Sequence, residues 1–147
     1  MRDIRLLERP FAPGTLIGPF TSANPGLGGV CTFVGEVRGG GGVEALELQH
    51  YPPLTLPGMH ALADEALARF ELMGLLMAHR VGVLGPGEPI VCVSAAARYR
   101  RPAIDAVDFC MDHLKSAAWF WKREKRADGW RWIEPRDEDR RDLARWR

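Results

Sequence analysis

The spacing of hydrophobic and polar positions changes several times along the chain, and each change marks an element. Residues 3–8 read as a short strand, and 15–20, after Pro13-Gly14, as a single helical turn. A breaker-rich loop, 23–29, leads into Val30 to Val37, a β-branched and mostly apolar run that reads as a strand ending at Arg38. Gly39 to Gly42 form a flexible loop, and alternation resumes from Val43 to Tyr51. Leu46, Leu48 and His50 fall on one face there, and Ala45, Glu47 and Gln49 on the other. These two strands are expected to be joined directly by the glycine tip. After Pro57-Gly58, residues Met59, Leu62, Ala63, Ala66, Leu67 and Phe70 recur at helical spacing, and Gly74 ends the helix. A strand is expected over 75–84, a turn at 85–88, a second strand over 89–96 and an arginine-rich loop to 101. Pro102 opens a second long helix with an apolar stripe of Ile104, Val107, Cys110, Met111 and Leu114, ending near Ser116. Residues 119–124 alternate as a strand, Asp128-Gly129 signals a hairpin, and 130–134 return.

This order predicts an α+β fold: a mixed, mainly antiparallel sheet with two long helices and a C-terminal β-hairpin. The 147 residues form a single expected domain, 1–147, with a charged tail or marginal helix from about 135 to 147. The chain contains no internal repeat.

Composition removes several functions. A net charge of +1 gives no whole-molecule field for nucleic acid. The longest apolar run, Leu72 to Ala78, is too short to span a bilayer. The charged start does not read as a secretory leader, and three scattered cysteines, Cys31, Cys92 and Cys110, argue for a reducing compartment. A cytoplasmic location is expected. The four histidines, His50, His60, His79 and His113, lack metal-ligand spacing and read as structural. No metal or other cofactor is expected. Neither a Gly-x-Ser-x-Gly nor a phosphate-binding P-loop is present.

The cations are unevenly distributed. Of 20 Lys plus Arg, 17 are Arg, and the three lysines are Lys115, Lys122 and Lys125. Only an amine can be tuned toward neutrality by burial and neighbouring charge, as a nucleophile or proton carrier requires. Lys115 and Lys122 are therefore candidate catalytic groups, with Arg38 and Arg100 as candidate anion ligands that would lower the Lys115 pKa if close. A plainer reading pairs Lys115 with Asp108 and Asp112 on a helix face whose carboxylates, including Asp105, balance charge. A third feature is the interleaving of Trp119, Trp121, Trp130 and Trp132 with Lys122, Arg123 and Arg131, which could stack single-stranded bases. On a hairpin such aromatics more often cover a core or an interface.

The motifs also resemble, in one order and over nearly the whole chain, those of the large, catalytic subunit of molybdopterin synthase. They are Phe33-Val-Gly-Glu-Val-Arg38, Leu48-Gln-His-Tyr-Pro52, His79-Arg-Val-Gly-Val-Leu-Gly-Pro-Gly-Glu88, Asp112-His-Leu-Lys115 with Phe120-Trp-Lys-Arg-Glu124, and Arg131-Trp-Ile-Glu134. The resemblance implies an α/β hammerhead-like fold and sulfur transfer from a small ubiquitin-like partner. That partner's C-terminal glycine thiocarboxylate would convert cyclic pyranopterin monophosphate into the molybdopterin dithiolene. It implies a homodimer of this chain inside a heterotetramer. It also implies catalytic roles for Lys115 and Lys122, and substrate binding by Glu36, Val37, Arg38, Tyr99, Arg100, Arg123 and Glu124. Sulfur brought by a partner removes any need for a reactive cysteine. Three features depart from the family pattern: Tyr99 stands where a histidine is usual, Trp119 where a proline is usual, and the glycine loop after Arg38 where a polar loop is common. A phenol mostly donates a hydrogen bond where imidazole exchanges protons. A non-catalytic scaffold that still binds the small subunit is therefore a second reading, and single-stranded nucleic-acid binding a third.

Overall fold

A computed structural model describes every residue except Ala118. In chain order the elements are β1 (Arg2–Leu7), α1 (Gly14–Ala23), β2 (Gly29–Glu36), β3 (Ala45–His50), α2 (Pro52–Arg69), β4 (Gly74–Arg80), β5 (Gly82–Leu84), β6 (Pro89–Ala97), α3 (Arg100–Ser116), β7 (Phe120–Arg126), β8 (Gly129–Ile133) and α4 (Asp137–Ala144). The α+β class, the mainly antiparallel pairing, the two long helices and the final hairpin are those expected. The strands divide into two four-stranded sheets, ordered β1-β4-β6-β2 and β5-β3-β7-β8. Among the described residues only β1–β4 pairs in parallel.

The main core lies where α2 and α3 cover one face of the first sheet. Met59, Leu62 and Ala66 of α2 meet Leu75 and Met77 of β4, Val93 of β6 and Phe109 of α3. The opposite face takes Leu76, Ala78, Cys92 and Ala96, capped by Phe20 of α1. β4 and the greater part of β6 are thus buried on both faces, which is why their sequences are continuous apolar runs. Ser94 is tolerated at the centre because its hydroxyl bonds Thr32 at 2.6 Å.

Four expectations are corrected. The segments 30–37 and 43–51 do not form a hairpin: β2 pairs β6 in one sheet, and β3 pairs β5 and β7 in the other. Gly40, Gly41 and Gly42, all with positive φ, carry the chain between sheets. The expected strand 75–84 is two strands in different sheets, because Gly82 at φ 103° turns the chain out of the first. α2 begins at Pro52, where prolines at the first two helical positions need no N–H partners. α1 is ten residues long despite Gly18 and Pro19, since burial of Phe20 outweighs poor helix propensity.

The charged C-terminal segment is partly helical and docked. Arg145 bridges Asp108 at 2.5 Å and Asp112 at 2.8 Å on α3, and Trp146 Nε1 donates to Asp112 at 2.6 Å. Trp146 also packs edge-on against Phe70 and Phe109. Among the described residues no helix is long and apolar enough to cross a membrane.

The turn between α3 and β7 is fixed against α2. The Trp119 carbonyl accepts from Tyr51 N at 3.3 Å and Thr55 Oγ1 at 3.2 Å. The Trp119 ring lies so close to Gly58 that an added Cβ would stand 2.3 Å from it. Gly58→Ala is expected to displace the indole and destabilise the fold by about 1–3 kcal/mol, despite alanine's better helix propensity. A thermal melt with tryptophan fluorescence checks this; an unchanged spectrum with a raised melting temperature would refute it.

Candidate functional site

The two sheets and the C-terminal end of α3 enclose a cavity of about 280 Å³. Three strand features shape it. Gly35 packs where a Cβ would stand 2.8 Å from Val91 Cγ1, and a register shift at Gly35/Glu36 bulges β2. A bulge re-aims the side chains that follow it, and both Glu36 and Arg38 line the cavity. The strand end is then fixed by Val37, whose N–H donates to Glu88 O at 2.9 Å and whose carbonyl accepts from Gly87 at 2.8 Å. The Glu88 side chain is in turn held by the Gly85 N–H and by buried Arg80, whose Nη1 donates at 3.0 Å. Those bonds keep the Glu88 carboxyl below the usual carboxylate range, the Gly85 N–H contributing most.

Lys115 enters from the last turn of α3, where the helix dipole favours a cation. Lys122 enters from β7, on the strand face it shares with Phe120. Asp108 and Asp112 are engaged by Arg145, not by Lys115. Neither lysine has an ion-pair partner among the described residues. Burial holds the Lys122 amine below the ordinary lysine range; the Lys115 charge pushes the same way, and Asp139 partly offsets it. The tuned amine is thus Lys122, and its partner in tuning is Lys115.

His79, read from the sequence as structural, lines the same cavity. Its Nδ1 lies 2.8 Å from the Arg80 carbonyl, and its ring stacks on Phe120 with centroids 3.9 Å apart and planes 14° from parallel. Burial, the largest effect, with the nearby lysine charges, lowers its pKa to about 4. With His79 neutral, the other titratable side chains lining the cavity are the bases Arg38, Lys115 and Lys122 and the single acid Glu36, on otherwise mainly apolar walls. That arrangement suits a compact anion. The sequence signal for His79 was a polar residue inside the fully buried run of β4.

The remaining expected site residues lie elsewhere. Val37 is buried in a small cluster with Leu48 and Leu84. Tyr99 is 69% exposed and precedes α3, and Arg100 is its first residue. Arg100 and Lys115 are fifteen helical steps apart, about 22 Å at 1.5 Å each. Tyr99 and Arg100 therefore do not reach the cavity of their own chain. Arg123 points to the outer face of its sheet, where it pairs Glu47 at 2.8 Å and stacks 4.5 Å from the Trp130 ring centroid. Glu124 pairs Arg126 at 2.8 Å. None of the cysteines lines the cavity among the described residues. Burial raises the pKa of all three, that of Cys110 to about 12. Nor do those residues hold any cluster of three or more His, Cys, Asp or Glu able to bind a metal ion.

The fold and cavity together describe an α+β protein with a cation-lined cavity between two sheets. Residues 7–117 match the model of the MoaE protein family. The chain is 45% identical over 144 residues to a molybdopterin synthase catalytic subunit of Caulobacter vibrioides, covering 97% of this chain and 96% of that one. A molybdopterin biosynthesis MoaE protein from Burkholderia ambifaria superimposes with a TM-score of 0.83 at 38% identity, covering 99% of this chain and 98% of that one. More distantly, a chain from a Helicobacter pylori protein–protein complex of subunit 1 and 2 of molybdopterin-converting factor shares the fold at 18% identity, with a TM-score of 0.74, covering 90% of this chain and 91% of that one. The chain belongs to the MoaE protein family, whose curated members are molybdopterin synthase catalytic subunits.

The His79 environment sets an acid limit on stability. Between its ordinary value of 6.5 and its folded value of about 4, the unfolded chain binds a proton that the folded chain refuses. The His79 contribution to stability is expected to be full above pH 6.5 and to fall toward pH 4, by about 3 kcal/mol at the limit. Denaturant melts across that window check this: His79→Phe is expected to flatten the slope, and an equal slope in both proteins would refute it.

Proposed function

We propose that this chain transfers sulfur from the C-terminal thiocarboxylate of a small ubiquitin-like partner to cyclic pyranopterin monophosphate, forming the molybdopterin dithiolene. The observation that carries this reading is one cavity lined by Arg38, Lys115 and Lys122, with a tuned amine and no thiol. Arg38 and Lys115 supply charge for the substrate phosphate. Lys122, favoured toward its neutral form, moves protons or accepts the acyl group as thiocarboxylate becomes carboxylate. The Helicobacter pylori complex of subunits 1 and 2 supports a two-subunit assembly here as well. The cysteines, all free, are compatible with a reducing cytoplasm.

Tyr99 and Arg100 serve this reaction only across a homodimer, in which the α3 N-terminus of one copy meets the cavity of the other. Arg123 acts at one remove, holding β7 to β3 through Glu47 and to β8 through the Trp130 and Trp132 rings; Glu124 orients Arg126 of its own strand, which donates to the Gly41 carbonyl. The nucleic-acid reading is weaker, because Arg123 already covers the Trp130 and Trp132 rings that bases would need.

With purified thiocarboxylated partner and pyranopterin, Lys115→Ala and Lys122→Ala are each expected to lower product formation by at least about a hundredfold. Melting temperature should be retained, since neither amine holds an ion pair. Near-normal turnover would refute the assignment. A stable complex without turnover in the wild-type chain would favour the scaffold instead.

A further inference from the structure

We propose that His79 is a positioning residue for the sulfur-transfer chemistry: its Nε2 lone pair accepts a hydrogen bond from the Lys122 ammonium in the loaded cavity and holds that amine toward the substrate. The inference deepens the functional reading above and rests on it.

Four observations lead here. A carbonyl only accepts, so the 2.8 Å contact with Arg80 O puts the proton on Nδ1 and leaves the lone pair on Nε2. The ring plane is fixed by Phe120, which is two residues from Lys122 on one face of β7. The histidine ring and the amine are therefore set by the same strand. Lys122 also has no carboxylate partner among the described residues, so an acceptor for its ammonium must come from the cavity wall or the substrate. Finally, the imidazole stays neutral there, because burial and two ammonium groups oppose its protonation. A nitrogen that refuses a proton does not act as the base; it holds a proton donor in place. The charged groups around this pair are Lys122 on β7, Lys115 on α3, Glu36 at the end of β2 and Arg38 just beyond it, all lining the cavity. Arg80, next to His79 on β4, turns its guanidinium to Glu88. Arg136 and Asp139, beside the cavity, act on Lys122 with opposite signs.

Two variants separate acceptor from packing. His79→Phe keeps a ring against Phe120 and removes the acceptor; His79→Gln restores an acceptor oxygen near the Nε2 position. The first readout, taken in saturating inorganic phosphate so that the anion site is filled, is the pH midpoint for acetylation of Lys122 by an N-hydroxysuccinimide ester, followed by peptide mass spectrometry, which needs no enzymatic activity. An acceptor favours the ammonium, so losing it lowers the midpoint, by about one pH unit in His79→Phe. The second readout is kcat against KM in the sulfur-transfer assay. There His79→Phe is expected to lose about tenfold in kcat with KM little changed, and His79→Gln to recover most of both readouts. Should His79→Phe fail to fold, His79→Asn, which keeps a donor for the Arg80 carbonyl and removes the acceptor, takes its place. Equal midpoints in all proteins, or a glutamine variant as impaired as the phenylalanine one, would overturn the proposal. An inactive wild-type enzyme would instead sink the functional reading, while the labelling comparison still decides what His79 does.

Discussion

Like charges brought close in an apolar cavity repel, and in this molecule the backbone holds them there. Arg38, Lys115 and Lys122 come from a bulged strand end, a helix terminus and a second sheet. No carboxylate pairs with either lysine among the described residues, and Glu36 is the one carboxylate lining the cavity. The energy that opposes their repulsion comes from elsewhere. It lies in the doubly covered core of β4 and β6 and in the hydrogen bonds that fix each strand end. An anion in such a cavity would relieve the repulsion that the fold imposes.

The carboxylates that could have neutralised the lysines are drawn off. Arg145 and Trp146 take Asp108 and Asp112, and Arg80 takes Glu88. The first pairing docks α4 on α3; the second locks the 85–88 turn under the strand end that carries Arg38. Both leave the cavity cationic. The docking of the charged C-terminal segment thus has an electrostatic consequence for a site it does not enter.

Trp119 shows how a departure from the family pattern can be accommodated. Its indole fills the space above Gly58, and its carbonyl is held by Tyr51 and Thr55. The connection between the two lysines is thereby tied to α2, the helix that also builds the main core.

Sequence periodicity alone was enough for the two long helices, the final hairpin and the mainly antiparallel α+β class, because each depends on local spacing and turn residues. The rarity of lysine drew attention to Lys115 and Lys122, because only an amine can be tuned toward neutrality, and the fold brings both to one cavity. Pairing of distant strands was not legible. Whether β2 and β3 share a sheet depends on partners about fifty to eighty residues away, not on the glycines between them. The placing of Arg100 and Arg123 outside the cavity was hidden for the same reason: a helix length and a strand face fix them, and neither alters the local pattern. His79 was equally mute in sequence. Burial, a stacked ring and two neighbouring amines give it its character, and all three are supplied by tertiary contact.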